Sequence, residues 1–218
     1  SIQVHPDDEH AQKIGYKRGK NEAWFFIESD PGASIVYGQK TKNKEELQEM
    51  INQDKWDDIY KKYPVADGDF VYLPAGCLHA MGKGNVVYEI QQSTDVTYRF
   101  YDYHRKDKDG NERELHLKQA IDCLSFDKDI DKNDVHPVVK VHENMKETIF
   151  ISNDSFTVSQ LLVIGKCQYK CDNYQLATVV KGSGKVDEYD VKVGDNFLIP
   201  TNTSIELDGQ MMIMMTTK

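Results

Sequence analysis

The chain has 218 residues, of which 29% are charged, and carries a formal net charge of −9 with a pI near 5.3. This acidic balance argues against a nucleic-acid-binding surface, which needs a basic patch or stripe, and no apolar run reaches the roughly 18 residues of a membrane span. The length allows two modest domains. The opening residues lack the basic and apolar regions of a signal peptide, so we expect a cytoplasmic protein with no nucleic-acid or membrane partner.

The first part of the chain is predicted to form strands with short helices inserted. Residues 1–5 alternate as a strand, and Pro6 followed by two aspartates favours a short helix or turn over 6–14. The chain opens without methionine and already inside a strand, and a barrel that begins in mid-sheet leaves edge strands unpaired. We therefore expect a segment to be missing upstream. The β-rich runs 23–28 and 33–37, separated by Asp-Pro-Gly, predict a hairpin.

Helical spacing of apolar residues then predicts a small helical insertion near 43–63. A polar run at 127–136 is the best candidate for a linker, so we assign a first barrel to 1–126 and a second, nearly all-β domain to 137–218. The remaining predicted strands are 70–73, 86–92, 96–101, 146–152, 156–163, 174–180, 195–199 and 211–217, with one helix at 116–124.

Four cysteines lack paired C-x-x-C spacing: Cys77, Cys123, Cys167 and Cys171. They predict neither a disulfide framework nor a thiolate zinc site.

The segment G-D-F-V-Y-L-P-A-G-C-L-H, from Gly68 to His79, resembles in its spacing the second metal-site motif of cupin barrels. Gly68 begins a turn, residues 70–73 form a short strand, and Pro74 ends the strand ladder because it has no N–H to donate. Gly76 then turns the chain so that His79 faces inward.

A second copy of this frame, V-G-D-N-F-L-I-P, stands at 193–200. Its glycine-to-proline spacing is intact, but Ile205 occupies the position that corresponds to His79. We interpret the chain as mainly β, with two tandem double-stranded β-helix (cupin jelly-roll) barrels and a few short helices. The second barrel is expected to be degenerate and to lack metal ligands.

Gln3 and His5 lie two residues apart on a predicted strand, so both side chains lie on one face. Glu22 opens the next strand, and His79 comes from the Gly68 motif. An amide oxygen, two imidazoles and a carboxylate suit Zn²⁺, with Mn²⁺, Fe²⁺ or Co²⁺ as alternatives. We expect one zinc ion per chain.

Four stretches together resemble the type I mannose-6-phosphate isomerases, a bacterial family of zinc-dependent cupin enzymes. They are S-I-Q-V-H-P-D-D from Ser1, G-K-N-E-A-W-F-F from Gly19, Y-L-P-A-G-C-L-H-A from Tyr72 and T-Y-R-F-Y-D-Y from Thr97. The resemblance runs in order over most of the chain, although roughly the N-terminal third of a family member, including another lysine expected in the site, is absent. It implies that zinc is bound by Gln3, His5, Glu22 and His79.

The resemblance also implies an aldose–ketose isomerase that interconverts mannose 6-phosphate and fructose 6-phosphate through an enediol. Lys20 and Arg99 would line the active site, with Ser1 near the sugar phosphate. Coordinated histidines are poor bases, so we expect Glu89, facing a desolvated pocket, to carry the proton, with Lys20 as the alternative. Arg99 would hold the phosphate or the enediolate with its donor fork. The expected partner is a small-molecule sugar phosphate, and we expect a monomer or a homodimer.

Two other classes stay open. Two histidines and a carboxylate also suit the Fe²⁺ of a non-haem iron oxygenase, although the amide of Gln3 and the cations Lys20 and Arg99 fit a phosphorylated sugar better. A non-enzymatic cupin that binds a sugar phosphate is the third reading, because the second barrel already illustrates the loss of ligands.

Overall fold

The computed structural model describes residues 1–126 and 135–218 and is mainly β. Two compact units make up the chain, Ser1–Asp134 and Val135–Lys218. The linker predicted at 127–136 stays a prediction, because 127–134 lie outside the described residues. None of the helices in the described ranges has the length and apolar character that a membrane span needs.

The first unit is built from two sheets with short helices around them. Its strands are β1 (Ile2–Val4), β2 (Glu22–Ser29), β3 (Ser34–Gln39), β4 (Tyr60–Pro64), β5 (Phe70–Leu73), β6 (His79–Met81), β7 (Asn85–Gln91) and β8 (Tyr98–Tyr101). Its helices are α1 (Asp8–Lys13), α2 (Lys44–Asn52), α3 (Trp56–Ile59) and α4 (Leu117–Cys123). One sheet has the strand order β4-β3-β6-β1-β8, and the other has the order β5-β2-β7.

β2 and β3 lie in different sheets, so the hairpin predicted for 23–28 and 33–37 is wrong. The turn between them exists, since a backbone hydrogen bond of 2.9 Å closes it at Asp30. Trp24 of β2 and Ile35 of β3 are buried in the same hydrophobic cluster. The apolar faces of the two strands therefore pack against each other across the core, and the turn carries the chain from one sheet to the other.

The helical insertion predicted near 43–63 is shorter than expected. α2 begins after Asn43, whose side chain accepts the backbone N–H of Glu46 as an N-cap. α3 ends at Ile59, and β4 then pairs with β3. The predicted insertion extends to residue 63, but the alternating burial of Tyr60–Pro64 is that of a strand.

The second unit is a single eight-stranded sheet. Six of its strands have the order β14-β13-β16-β11-β10-β9, and the other two, β12 and β15, pair with β16 and β13. Its strands are β9 (Val138–His142), β10 (Met145–Ser152), β11 (Thr157–Ile164), β12 (Cys167–Cys171), β13 (Gln175–Val186), β14 (Tyr189–Lys192), β15 (Asn196–Ile199) and β16 (Thr203–Thr217). β13 and β16 extend well beyond the predicted runs. Glycine at position 182 allows these two long strands to approach, because a Cβ there would lie 2.0 Å from the carbonyl oxygen of Gln210.

The Gly68 frame and its copy make the same hydrogen bonds. Gly68 has a φ of +84° and Gly194 one of +92°, a region that favours glycine. The N–H of Gly68 donates to the carbonyl of Phe26 at 2.8 Å, and that of Gly194 donates to the carbonyl of Val179 at 2.9 Å. β2 therefore corresponds to β13, and the strand registers align the remaining positions of the two units.

The ligand positions of the first unit are filled by other residues in the second. Gln3, His5, Glu22 and His79 correspond by strand register to Tyr169, Cys171, Gln175 and Ile205. Tyr169, Cys171 and Ile205 are buried in the hydrophobic core of that unit. The second unit thus keeps the frame of the motif and uses its ligand positions for packing.

Candidate metal centre

Three side chains that could hold a metal ion meet between the two sheets of the first unit. His5 follows β1, Glu22 begins β2 and His79 begins β6, and all three are buried. One ligand atom from each lies within 4.8 Å of the others. The structure therefore brings together three of the four predicted metal ligands.

Backbone carbonyl groups orient both imidazoles. His5 Nδ1 lies 2.9 Å from the carbonyl oxygen of Val96, and His79 Nδ1 lies 2.9 Å from that of Cys77. Because a carbonyl oxygen only accepts, each Nδ1 carries the proton, and each Nε2 presents a lone pair. Those two Nε2 atoms each lie 3.3 Å from an oxygen of Glu22.

Two of these buried ligand atoms lack a hydrogen-bond partner within the described part of the chain, and a metal ion would supply each with a bond. His5 Nε2 and Glu22 Oε2 are buried and have no hydrogen-bond partner in the described structure. Burial lowers the pKa of His5. The ammonium of Lys20, 2.9 Å from Glu22 Oε1, favours the ionised form of that carboxylate. Neutral imidazoles and an ionised carboxylate are the forms that bind metals, so the residues present suit a divalent cation.

Gln3 lies beside this group on the same sheet. It stands opposite His79 in the strand register, and its Nε2 is 3.4 Å from His79 Nε2. Ligation would require the amide oxygen to face the centre, which a half-turn of the amide provides. Its role as a ligand therefore stays a prediction.

Lys20 contacts the same carboxylate. Its Nζ lies 2.9 Å from Glu22 Oε1, and the residue is 8% exposed. Gly19 makes this position possible, because a Cβ there would lie 2.4 Å from the carbonyl oxygen of Pro6. The N–H of Gly19 also donates to Asp8 Oδ1 at 2.7 Å. The close packing of this glycine against the start of α1 places the lysine at the centre.

Arg99 lies on the other side of Gln3 from His79, in the neighbouring strand. It stands on β8 opposite Gln3, and cross-strand partners face the same side of a sheet. Its Nη1 donates to the carbonyl of Glu114 at 2.7 Å. Its Nε is buried and has no hydrogen-bond partner among the described residues. The guanidinium therefore keeps donors available for an anionic ligand.

Glu89 and Ser1 are placed differently from the three buried ligands. Glu89 is exposed and accepts the indole N–H of Trp24 at 2.9 Å. The prediction that it faces a desolvated pocket is therefore wrong for the described structure. The ring of Trp24 meets that of His79 edge-on at 5.6 Å, which leaves Glu89 one side chain away from the centre. Ser1 precedes β1, and its backbone nitrogen lies 3.7 Å from Asp102 Oδ1.

Sequence reasoning missed the groups that hold the ligands in place. The N–H of Gly76 donates to the carbonyl of His5 at 2.8 Å, so the turn that delivers His79 also fixes His5. Asn21 accepts the N–H of Ala75 in that turn at 2.8 Å. Most of these contacts involve backbone atoms, which leave no mark in a residue pattern.

Known proteins resemble this chain over nearly all of its length. A mannose-6-phosphate isomerase of Streptococcus mutans is 38% identical over 98% of the chain, and the mannose-6-phosphate isomerase ManA of Bacillus subtilis is 37% identical over 92% of it. The chain spans 69% of the first protein and 65% of the second. The family model described as the cupin domain of mannose-6-phosphate isomerase matches residues 146–218.

Solved structures agree with these matches. The crystal structure of a mannose 6-phosphate isomerase from Bacillus subtilis has a TM-score of 0.93 and 31% identity, covering 100% of this chain and 71% of that one. A putative mannosephosphate isomerase from Archaeoglobus fulgidus, at 18% identity and a TM-score of 0.73 over 99% of this chain and 66% of that one, shows the fold alone. The predicted cupin fold is confirmed. The chain belongs to the mannose-6-phosphate isomerase family of cupin enzymes.

Proposed function

We propose that the protein is a zinc-dependent aldose–ketose isomerase that interconverts mannose 6-phosphate and fructose 6-phosphate through an enediol. The observation that carries the proposal is the meeting of His5, Glu22 and His79 with unpaired, buried ligand atoms. The names of the relatives support the choice of substrate. Lys20 and Arg99 add cations on the same side, which suit a phosphorylated sugar.

The two histidines, Glu22 and Gln3 would hold the zinc ion. Nitrogen and oxygen ligands without a thiolate are a set that zinc accepts in catalytic sites. When bound, zinc polarises the carbonyl and hydroxyl oxygens of the sugar as a Lewis acid. The hydrogen bonds from each Nδ1 to a backbone carbonyl keep His5 and His79 in the tautomer that this role needs.

Isomerisation moves a proton between two neighbouring carbons, which requires a group other than the metal ligands. Lys20 lies at the centre, with its Nζ against Glu22. Glu89 accepts the indole N–H of Trp24 and is exposed. The expectation that burial favours Glu89 as the proton carrier therefore does not hold. We assign the proton transfer to one of these two residues, and variants of each separate the roles.

Arg99 would bind the anionic part of the substrate. Its buried Nε–H has no partner within the described residues, and a planar guanidinium presents parallel donors to a phosphate or an enediolate. A bound anion would satisfy this donor, which otherwise costs free energy because it is shielded from water.

The complete protein should convert mannose 6-phosphate, with fructose 6-phosphate detected by a coupled assay and solvent deuterium appearing at the sugar carbon. Calorimetric binding of mannose 6-phosphate without either product signal would indicate a binding module instead. Oxygen uptake by iron-loaded protein would indicate an oxygenase. The cytoplasmic location and the monomeric or homodimeric state stay predictions.

A further inference from the structure

A short segment folds back along β8 and holds Arg99. We call residues 112–116 the strap. The N–H of Arg99 donates to His116 Nδ1 at 3.1 Å, and the N–H of His116 donates to the carbonyl of Arg99 at 2.8 Å. The carbonyl of Glu114 accepts from Arg99 Nη1 at 2.7 Å. The strap therefore fixes both the backbone and the guanidinium of this arginine.

His116 occupies the N-cap position of α4, yet its side chain makes no capping hydrogen bond. Serine, aspartate or asparagine at this position normally accepts an N–H from the first turn of the helix. The imidazole is instead turned toward β8, where it accepts from Arg99. The helix start thus goes without a side-chain cap while the arginine gains a contact.

An ion pair anchors the strap to the end of β8. Arg113 Nε lies 2.7 Å from Asp102 Oδ2, and Arg113 Nη2 lies 2.7 Å from Asp102 Oδ1. Asp102 is 4% exposed. Such a two-point pair restricts direction as well as distance. Arg113 directly precedes Glu114, so the pair determines where the carbonyl that binds Arg99 can lie.

Arg105 provides a natural contrast. It also binds Asp102, with its Nε 3.0 Å from Oδ1. Arg105 precedes the turn at 107–111, whereas the strap follows that turn. Arg105 makes no hydrogen bond to the strap in the described structure. Two arginines therefore share one carboxylate, and only Arg113 belongs to the strap, although Lys106, next to Arg105, pairs with Glu112 of the strap.

We propose that the pair of Asp102 and Arg113 positions Arg99 for the substrate by fixing the strap. Arg113 and Asp102 are positioning residues, because they act through Arg99 and touch no reacting atom. The inference rests on the proposed function, since it takes Arg99 as the group that holds the anionic part of the sugar phosphate.

Kinetics of the complete, zinc-loaded protein test this coupling. Arg99→Ala should change KM if Arg99 holds the phosphate and kcat if it holds the enediolate. Arg113→Ala should change the same parameter by about 10- to 100-fold, as expected for a binding group displaced by about 1 Å. Arg105→Ala is the matched control and should stay within about twofold. In the Arg99→Ala background, Arg113→Ala should add nothing. Full additivity of the two effects would overturn the proposal.

Arg113→Lys covers the case in which the alanine variant does not fold. Lysine keeps the charge and one hydrogen bond but loses the two-point geometry, so this variant should recover part of the lost parameter. Recovery to the full wild-type value would show that charge alone suffices, against a positioning role.

A readout independent of turnover is the side-chain Nε–H of Arg99 in ¹⁵N spectra, assigned by its disappearance in Arg99→Lys. Arg113→Ala should broaden this signal or speed its exchange with water, whereas Arg105→Ala should leave it unchanged. An unchanged signal in Arg113→Ala would overturn the proposal whatever the activity. If the two variants respond in this way but the wild-type protein does not isomerise the sugar phosphate, the proposed function is contradicted and the role of the strap is supported.

Discussion

The imidazole rings of His5 and His79 lie with their centroids 5.0 Å apart and their planes tilted by 45°, and each directs Nε2 at an oxygen of Glu22. Both Nδ1 atoms donate hydrogen bonds to backbone carbonyl groups. The two Nε2 atoms and the carboxylate are therefore all acceptors. Buried acceptors that face one another are unfavourable unless a cation lies among them. Lys20 reaches Oε1 of Glu22, but His5 Nε2 and Glu22 Oε2 have no hydrogen-bond partner among the described residues. The arrangement therefore predicts a metal centre whose ligands are oriented before the metal binds.

Glu22→Gln should lose zinc. The amide removes the negative charge at the point where both imidazoles and Lys20 converge. We expect zinc affinity to fall at least about 100-fold, the upper end of the cost of losing a residue that merely supports a ligand. Metal analysis after dialysis checks this, and a variant that retains one zinc ion per chain would remove Glu22 from the ligand set.

Glu89→Gln should keep zinc and lose most turnover if Glu89 carries the proton. Glutamine preserves an oxygen acceptor for the Trp24 indole, so the effect reports the acid–base group and not packing. A loss of about 10²- to 10⁴-fold in kcat is expected for removal of such a group. Retained turnover would transfer the role to Lys20, and Lys20→Gln would then show the loss.

The local frame of the metal motif could be predicted because glycine and proline act on their own neighbourhood. Gly68 adopts a positive φ, and β5 ends at Leu73, directly before Pro74, as the sequence indicates. The shared face of Gln3 and His5 could also be anticipated, since strand alternation sets the face on which each side chain lies, whereas the meeting with Glu22 and His79 is what the family resemblance implies.

Other features depend on long-range packing and could not be predicted. The turn at Asp30 is compatible with a hairpin or with a crossover, and burial of both strand faces decides between them. Alternation predicts the direction in which Glu89 points, but not how far solvent reaches it. The strap binds Arg99 largely through main-chain atoms, for which no residue type is diagnostic.

Gly19→Ala should disturb the placement of Lys20. The added Cβ would lie 2.4 Å from backbone atoms of Pro6 and Asp7, so we expect about 3 kcal/mol of destabilisation and a marked loss of turnover. Gly15→Ala is the control: it has a φ of +89° with nothing near its Cβ and should cost about 1 kcal/mol with turnover unchanged. Equal effects of the two variants in urea unfolding would contradict the packing argument.

Asp102 should contribute to the acid sensitivity of the fold. Hydrogen bonds from Arg113 and Arg105 hold the pKa of Asp102 well below its usual range, against the effect of burial. The stabilisation is therefore complete above the unfolded-state pKa of about 3.9 and is lost as the pH falls below that value. Asp102→Asn should lower the free energy of unfolding at pH 7 and flatten its decline between pH 4 and pH 2. An equally steep decline in the variant would contradict this assignment.

Ile205→His should not restore a metal site in the second unit. The other ligand positions there hold Tyr169, Cys171 and Gln175, and Ile205 is buried among apolar side chains. We expect the free energy of unfolding to fall by about 1–3 kcal/mol, the cost of an unsatisfied buried polar group. The zinc content should stay at one ion per chain, and a second bound ion would contradict the interpretation of this unit.

The most direct test of the metal centre is turnover of mannose 6-phosphate by the complete protein before chelation, after removal of the metal and after zinc is returned. The arrangement of His5, Glu22 and His79 predicts loss of fructose 6-phosphate formation in the metal-free protein and recovery on addition of one equivalent of zinc. Undiminished turnover by protein shown by metal analysis to contain no metal would contradict the central claim.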